Sequence, residues 1–461
     1  MIFEQHYLDC LSQASYFVGD ESSKRAVVID PRRDIGPYLD SASEHGMAIE
    51  LVIETHFHAD FLSGHLELAA ATGACIAYGA AADTEFESRK LADGERISLG
   101  EVVLEIRHTP GHTPESISIV VFEHDSDAEP YGVLTGDALF VGDVGRPDLL
   151  SSKGMTSEQL AGMLFDSLHD KLLTLPDATR VYPAHGAGSS CGKNLSTDTW
   201  STIGAQRTSN YALAAMSKAD FVDAVTEGQA VPPAYFAFDA TRNREVHEIL
   251  DETADPDALT LVEVVRRQRA GAVVLDTRDS NEFAVGHLVG SINVGLDGRY
   301  AEYAGGVIQP GAPIILVADP GTERDAKNRL ARIGFDNVVG ALAEPLEVFV
   351  ANPDDVAHSR RLDVAELDRL RAAEPDLQLV DVRQPGETAG GTIPDAIEIP
   401  LTTLNERLHT LDAMRPTVVY CAGGYRSSIA ASRMAAAGFA DVTDLLGGYS
   451  AWSAQHADAA S

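Results

Sequence analysis

The segment Thr55-His56-Phe57-His58-Ala59-Asp60-Phe61 sets the tightest limit on what this chain can become. Two histidines and an aspartate within five residues put three metal-capable side chains on one short turn, and a phenylalanine follows the aspartate directly. Phenylalanine has no lone pair to donate, so the box reads as a site built to hold one ion. The apolar, β-branched run Ile49 to Thr55 ahead of it is a buried-strand pattern, so the box begins where a strand ends. Strand-end loops are where a rigid sheet can aim several ligands at one point.

Further candidate ligands follow, each just past an apolar run: His112 after Val102 to Ile106, Asp137 after Gly132 to Leu134, and His185 after Arg180 to Tyr182. Any one alone reads as a satisfied loop histidine or a turn-forming aspartate. Four strand-end elements in order read as a site.

This ordered set resembles the metallo-β-lactamase superfamily over roughly the first half of the chain. The resemblance implies an α/β fold, a four-layer αββα sandwich with the metal at one edge of its paired sheets, and Tyr16-Phe17-Val18-Gly19 and Ala26 to Pro31 look like its first two strands. In binuclear members such as glyoxalase II the box aspartate and the histidine after it hold a second ion. Phe61 stands at that histidine position, which counts against hydrolysis by a bridging hydroxide. The resemblance to the persulfide dioxygenases of this superfamily implies that His56, His112 and Asp137 hold the ion, with His58, Asp60 and His185 orienting ligands or bonded water. Two histidines and one carboxylate with open positions suit non-haem Fe(II), one per chain. Zinc with the same three ligands stays open.

A chain of 461 residues with 44% hydrophobic and 23% charged content is globular and long enough for about three domains at ~150 residues each. No apolar run approaches the ~20 residues of a membrane span, and the N-terminal residues lack the pattern of a secretory signal, so a cytoplasmic location is expected. The four cysteines, Cys10, Cys75, Cys191 and Cys421, are scattered without metal-ligand spacing. A formal charge of -35 excludes nucleic acid as the expected partner, because phosphate binding needs a basic surface.

Acidic runs at 251–257 and 352–355 read as domain edges, giving expected domains over 1–250, 258–350 and 360–456. The last two resemble each other. Asp276, Arg278, Glu282 and Gly286 match Asp381, Arg383, Glu387 and Gly391 at a constant offset of 105. Each copy alternates strands and helices, the rhythm of a parallel doubly wound sheet, with helices expected from Arg324 to Ile333 and from Ser427 to Ala437.

In the second copy the strand Thr417 to Tyr420 runs into Cys421-Ala422-Gly423-Gly424-Tyr425-Arg426-Ser427. A cysteine at such a turn faces a helix N-terminus and a ring of backbone N–H groups, which favour the thiolate. The loop resembles the active-site loop of rhodanese sulfurtransferases, with the Asp381 to Glu387 element in support. The resemblance implies Cys421 as the sulfur-carrying nucleophile and Arg426 as the group neutralising a bound thiosulfate or persulfide. Thr392 stands where many rhodaneses place a histidine. The first copy contains no cysteine, and Asp319 falls in its corresponding loop. It is expected to fold as a rhodanese-like domain without sulfur transfer, serving as spacer or docking surface.

End to end, the chain resembles persulfide dioxygenase-rhodanese fusion proteins. Within that family Gly145-Arg146-Pro147-Asp148 matches an element whose arginine is associated with thiol substrate binding, although an ordinary salt bridge is the competing reading. Cys191, in Ser189 to Asn194, reads either as a thiol near the substrate entrance or as a plain loop residue. The expected activity is oxidation of a low-molecular-weight thiol persulfide, of glutathione or coenzyme A type, by O2 to sulfite. Sulfur transfer through Cys421 would make or use thiosulfate. A glyoxalase II-like zinc thioester hydrolase and a non-catalytic sulfur carrier or sensor stay open, as does self-association into a homodimer.

Overall fold

A computed structural model describes residues 1–149 and 154–457. The chain divides into two compact units: Met1–Gln229 with Phe236–Leu250, and Ala230–Tyr235 with the chain from Asp251 onward.

The first unit is built on two six-stranded sheets. One runs Ile2–Leu8, Gln13–Asp20, Arg25–Ile29, Ala48–Ile53, Cys75–Gly79, Arg89–Leu91 in spatial order. The other runs Arg96–Ser98, Val103–His108, Ile117–Phe122, Gly132–Gly136, Arg180–Pro183, Ser201–Thr202. Side chains alternate across a strand. Thus Val27 and Ile29 meet Leu104, Ile106 and Ile119 between the sheets, while Ala26 and Val28 pack outward against Tyr38 and Leu68 of the helices Gly36–His45 and His65–Thr72. On the far side Val120, Val133 and Val181 pack against Leu164 and Phe221 of Ser157–Ser167 and Lys218–Thr226. The result is the αββα sandwich the sequence led us to expect.

One element differs. Ile2–Leu8 is an edge strand antiparallel to Gln13–Asp20, so the strands holding Tyr16 and Ala26 are second and third. All seven of its residues are half-buried. An edge strand of this kind carries Glu4, Gln5 and His6 in mid-run and shows no apolar signature.

The site follows from strand polarity. Gly132–Gly136 and Arg180–Pro183 pair in parallel, so the loops carrying Asp137 and His185 leave the sheet at the same end. A bridge between Gln13 and His185 joins the two sheets there.

The second unit contains two five-stranded parallel sheets of the same strand order. The first reads Ala258–Leu259, Val338–Leu342, Ile314–Val317, Val273–Asp276, Ile292–Asn293, and the second Arg360–Leu362, Val442–Leu445, Thr417–Tyr420, Gln378–Asp381, Ile397–Glu398. The duplicated sequence is a duplicated fold. Among its helices, the two expected after the central strands run Glu323–Ala331, ending two residues before Ile333, and Tyr425–Ala436, starting two residues earlier than expected because Gly424, with φ of 107°, turns the chain directly into it. Among the described residues no helix is long and apolar enough to cross a membrane.

Candidate metal centre and sulfur-transfer loop

His56, His112 and Asp137 come together at the sheet edge, each at most 2% exposed, with one donor atom apiece lying within 4.8 Å of the others. Asp137 Oδ2 stands 3.4 Å from His112 Nε2 and 3.8 Å from His56 Nε2. The other nitrogen of each ring is held. His112 Nδ1 donates to the Arg146 carbonyl at 2.8 Å. Thr55 Oγ1 donates to Asp30 Oδ2 at 2.8 Å and so accepts from His56 Nδ1 at 3.0 Å. Both Nε2 atoms are left as lone-pair donors, a relay that fixes tautomer and ring orientation together.

The donors fit a cation. His56 Nε2 and both Asp137 oxygens are buried with no hydrogen-bond partner among the described residues. Leaving such a group unsatisfied costs ~1–3 kcal/mol each. Burial, reinforced by His58, His112 and His185, holds the His56 pKa well below its ordinary value, so its imidazole is in the neutral form a metal requires.

His58 lies differently. Its Nε2 sits 3.1 Å from Asp30 Oδ1 and 3.2 Å from Glu54 Oε2. Burial opposes a charge on this ring, but the two carboxylates outweigh it and raise the His58 pKa well above normal. Glu54 is in turn drawn down to about 2 by His58 and His65 despite its burial. His58, Asp60 and His185 form a neighbouring group of donors within 4.8 Å of one another, and His185 Nε2 stands 3.4 Å from Asp60 Oδ2 and 3.5 Å from Asp137 Oδ1.

Arg146 is 1% exposed and makes the salt bridge that the sequence left as one reading, gripping Asp148 at 2.7 and 2.8 Å and donating to the Ser190 carbonyl at 3.1 Å. Its backbone serves the site by accepting from His112. Cys191, read from the sequence either as a thiol near an entrance or as a plain loop residue, is only 1% exposed and lies beside Asp137 and His185. Burial, with Asp60 and Asp137 nearby, pushes its thiol pKa well above the usual value.

Several supporting residues carry no motif. Asn243 Nδ2 donates to the carbonyls of His58 and Phe61, both at 2.8 Å, and its Oδ1 accepts from Ser63 N–H at 2.9 Å. Glu115 accepts from Phe57 N–H at 3.0 Å. Asp30 alone carried a signal, standing at the end of the Ala26 to Ile29 strand. Gly145 permits the close approach of its loop, since a Cβ there would lie 2.0 Å from the Asp137 carbonyl oxygen.

In the second unit, Cys421 directly follows the strand Thr417–Tyr420, and its Sγ accepts from Gly424 N–H at 3.1 Å. Tyr449 and Ser450 N–H groups close over the loop by donating to the Cys421 and Ala422 carbonyls at 2.7 and 3.0 Å. This clasp requires Gly448, where a Cβ would lie 2.2 Å from the Cys421 oxygen. Arg426 forms a bidentate pair with Glu387, both contacts at 2.6 Å. The matched Asp-x-Arg elements are internal clamps in both copies: Arg383 grips Asp381 and donates to the Gly391 carbonyl, and Arg278 does the same with Asp276 and Gly286. The element therefore persists in the copy without cysteine, where exposed Asp319 occupies the loop. That copy also touches the Cys421 loop: Tyr425 Oη donates to the Gly295 carbonyl at 2.8 Å, and Tyr303 packs edge-on against the Tyr425 ring.

An αββα sandwich with buried histidine and aspartate donors at its sheet edge is joined in one chain to two parallel α/β domains, of which one carries a cysteine loop, an arrangement of a candidate metal-binding domain followed by a duplicated α/β unit. The metallo-β-lactamase superfamily pattern matches residues 8–185, and the rhodanese-like domain pattern matches 260–351 and 363–455. A solved metallo-β-lactamase of Staphylococcus aureus is 33% identical, covers 74% of this chain and 98% of its own, and superposes with a TM-score of 0.67. This chain belongs to the metallo-β-lactamase superfamily, with two rhodanese-like domains following that domain. The mitochondrial persulfide dioxygenase of Homo sapiens is 33% identical over 177 residues, which are 37% of this chain and span 63% of that protein. A hydroxyacylglutathione hydrolase of a Synechococcus strain is 32% identical over 173 residues, 37% of this chain and 62% of that protein.

Proposed function

We propose that the chain is a persulfide dioxygenase with one catalytic Fe(II), oxidising a glutathione- or coenzyme A-type persulfide to sulfite, and that Cys421 couples this to sulfur transfer. The observation that carries the reading is the pairing of a complete, convergent His56, His112, Asp137 donor set with Phe61 at the position after the box aspartate. Similarity to the human persulfide dioxygenase supports it.

His56, His112 and Asp137 would hold the iron(II), which when bound would supply the redox chemistry for O2 to oxidise the persulfide sulfur. The residues do the rest. The Asp30-Thr55-His56 relay and the Arg146 carbonyl hold both imidazoles in the donor tautomer, and burial of the donors keeps bulk water from them. The balance is R-S-SH, O2 and H2O giving R-SH, sulfite and two protons.

At the second site, Gly424 N–H and the start of the Tyr425–Ala436 helix stabilise negative charge on Cys421 sulfur. The thiolate attacks the sulfane sulfur of thiosulfate, releasing sulfite and leaving a cysteine persulfide; a thiolate R-S⁻ then takes that sulfur and restores Cys421. Run in reverse, the same steps convert sulfite and a persulfide to thiosulfate, with direction set by concentrations. The test is oxygen uptake by the iron-loaded chain with each persulfide, beside thiosulfate-to-cyanide sulfur transfer. Uptake that His112→Ala removes and Cys421→Ser spares, with transfer showing the opposite pattern, supports the reading.

A further inference from the structure

Arg426 is already matched with a carboxylate before any substrate arrives. Its Nη1 and Nη2 each donate to one Glu387 oxygen at 2.6 Å, and among the described residues the guanidinium has no other partner. Glu387 is fixed in turn, because its Oε2 also accepts from Gln384 N–H at 3.0 Å, where the short helix Pro385–Thr388 begins. Burial opposes the charge on Arg426, but Glu387, with Tyr303 and Cys421 adding to it, outweighs burial and raises the Arg426 pKa. Burial likewise opposes the charge on Glu387, and Arg426 and the Gln384 N–H hold its pKa below the ordinary value. Both groups are therefore charged. Cys421 is among the groups that act on Arg426, so the pair lies within electrostatic reach of the sulfur.

This pair does not belong to the repeated framework. The grip of Arg383 on Asp381 recurs in the first copy as the grip of Arg278 on Asp276, and so serves the fold. Glu282, matched to Glu387, is exposed in that copy and has no ion-pair partner among the described residues. Asp319 stands there in the loop where the second copy carries cysteine. The carboxylate-guanidinium pair thus accompanies the thiol and not the domain.

We propose that Glu387 is a specificity-determining residue of the Cys421 site, selecting thiol persulfides over thiosulfate as sulfur donors; the proposal rests on the sulfur-transfer reading of Cys421. With either donor the Cys421 thiolate attacks the sulfane sulfur. A new S–S bond forms as the donor's S–S bond breaks, and the bonding electron pair leaves on the departing group, with no external oxidant or reductant. The departing groups differ in charge. A persulfide releases a thiolate with one negative charge at the reacting end, whereas thiosulfate releases sulfite with two. A free Arg426 would favour the dianion. Paired with Glu387 it offers no net charge, and the carboxylate repels the more highly charged donor more strongly. One carboxylate charge roughly 6 Å away in a half-buried site changes the rate by about tenfold for each substrate charge.

Single-turnover loading of Cys421 reads the selectivity. The full chain is exposed without oxygen to thiosulfate or to glutathione persulfide, and the mass of the Cys421 peptide is followed with time. Wild type should load faster from the persulfide. Glu387→Gln, which keeps an acceptor for Arg426, should raise the rate from thiosulfate at least about tenfold and the rate from persulfide far less. A wild type that prefers thiosulfate, or a variant in which both rates change equally or the thiosulfate rate does not rise, overturns the proposal. Alkylation of Cys421 by anionic iodoacetate and by neutral iodoacetamide needs no sulfur transfer. Glu387→Gln should raise the ratio of these two rates about fivefold, a change that a merely structural role for Glu387 would not produce. An unchanged ratio overturns the proposal as well. Should Glu387→Gln not fold, Glu387→Ala takes its place in both measurements. A wild type that loads from neither donor, with the alkylation ratio still shifted in the variant, would remove the sulfur-transfer reading while upholding the charge selection by Glu387.

Discussion

The Phe61 ring lies 4.2 Å from the His58 imidazole, centroid to centroid, at an interplanar angle of 33°. His58 is thereby flanked by an aromatic face on one side and the Asp30 and Glu54 carboxylates on the other. An apolar ring occupies the place from which a further nitrogen ligand would have reached the pocket.

Phe61→His should therefore raise the metal capacity of this unit. Metal analysis after loading and desalting should show more metal retained per chain than in wild type. Equal retention would separate Phe61 from metal stoichiometry.

Asn243 holds the loop after the box through three buried hydrogen bonds. Asn243→Ala leaves two carbonyls and one N–H without partners and should destabilise the first unit by about 2–4 kcal/mol. Metal affinity should fall with it, since the loop carries Asp60 and follows His56. Denaturant unfolding with and without metal checks both effects.

The contrast between the box and Asn243 marks what the sequence made legible. His56, His112, Asp137 and His185 each follow an apolar strand, so local pattern locates them and ordered spacing suggests that they converge. The duplicated sheets are equally visible, because their Asp-x-Arg clamps are local and occur twice. Asn243 contacts residues 180 or more positions earlier from the turn after the helix Phe236–Arg242, which has no pattern, and Asp30 and Glu54 meet at His58 only once the strands Arg25–Ile29 and Ala48–Ile53 pair. The burial of Cys191 likewise depends on Arg146 N–H donating to its carbonyl and on Asp143 Oδ2 accepting from the N–H groups of Lys193 and Asn194 in its loop. Such roles are tertiary and leave no periodic trace.

His287, in the copy without cysteine, is 6% exposed, donates from Nδ1 to the Phe283 carbonyl and stacks on the Phe283 ring at 3.7 Å. Burial, with Arg278 and His358 adding to it, lowers its pKa to about 4. The folded state thus favours the neutral ring, whereas the unfolded chain takes up a proton near pH 6.5. The associated stability is complete above about pH 6.5 and is lost as pH falls toward 4, by up to roughly 3 kcal/mol. Unfolding measured across this window should show the loss, and His287→Asn should flatten it.

Cys421→Ser should abolish sulfur transfer to cyanide from the full chain, because the first copy has Asp319 and no thiol in its loop. Residual transfer above background would assign activity to another cysteine. Tyr425→Phe removes the Tyr425 hydroxyl contacts with the first copy and should lower transfer by several-fold without eliminating it, measured as kcat/KM for thiosulfate.

Oxygen consumption by iron-loaded protein with glutathione persulfide and coenzyme A persulfide, with metal content determined on the same sample, tests the central claim most directly. The predicted result is uptake with at least one of the two persulfides, sulfite as product, and complete loss in His112→Ala. No uptake with either persulfide from protein that retains iron at His56, His112 and Asp137, together with thioester hydrolysis by the zinc-loaded form, would contradict it.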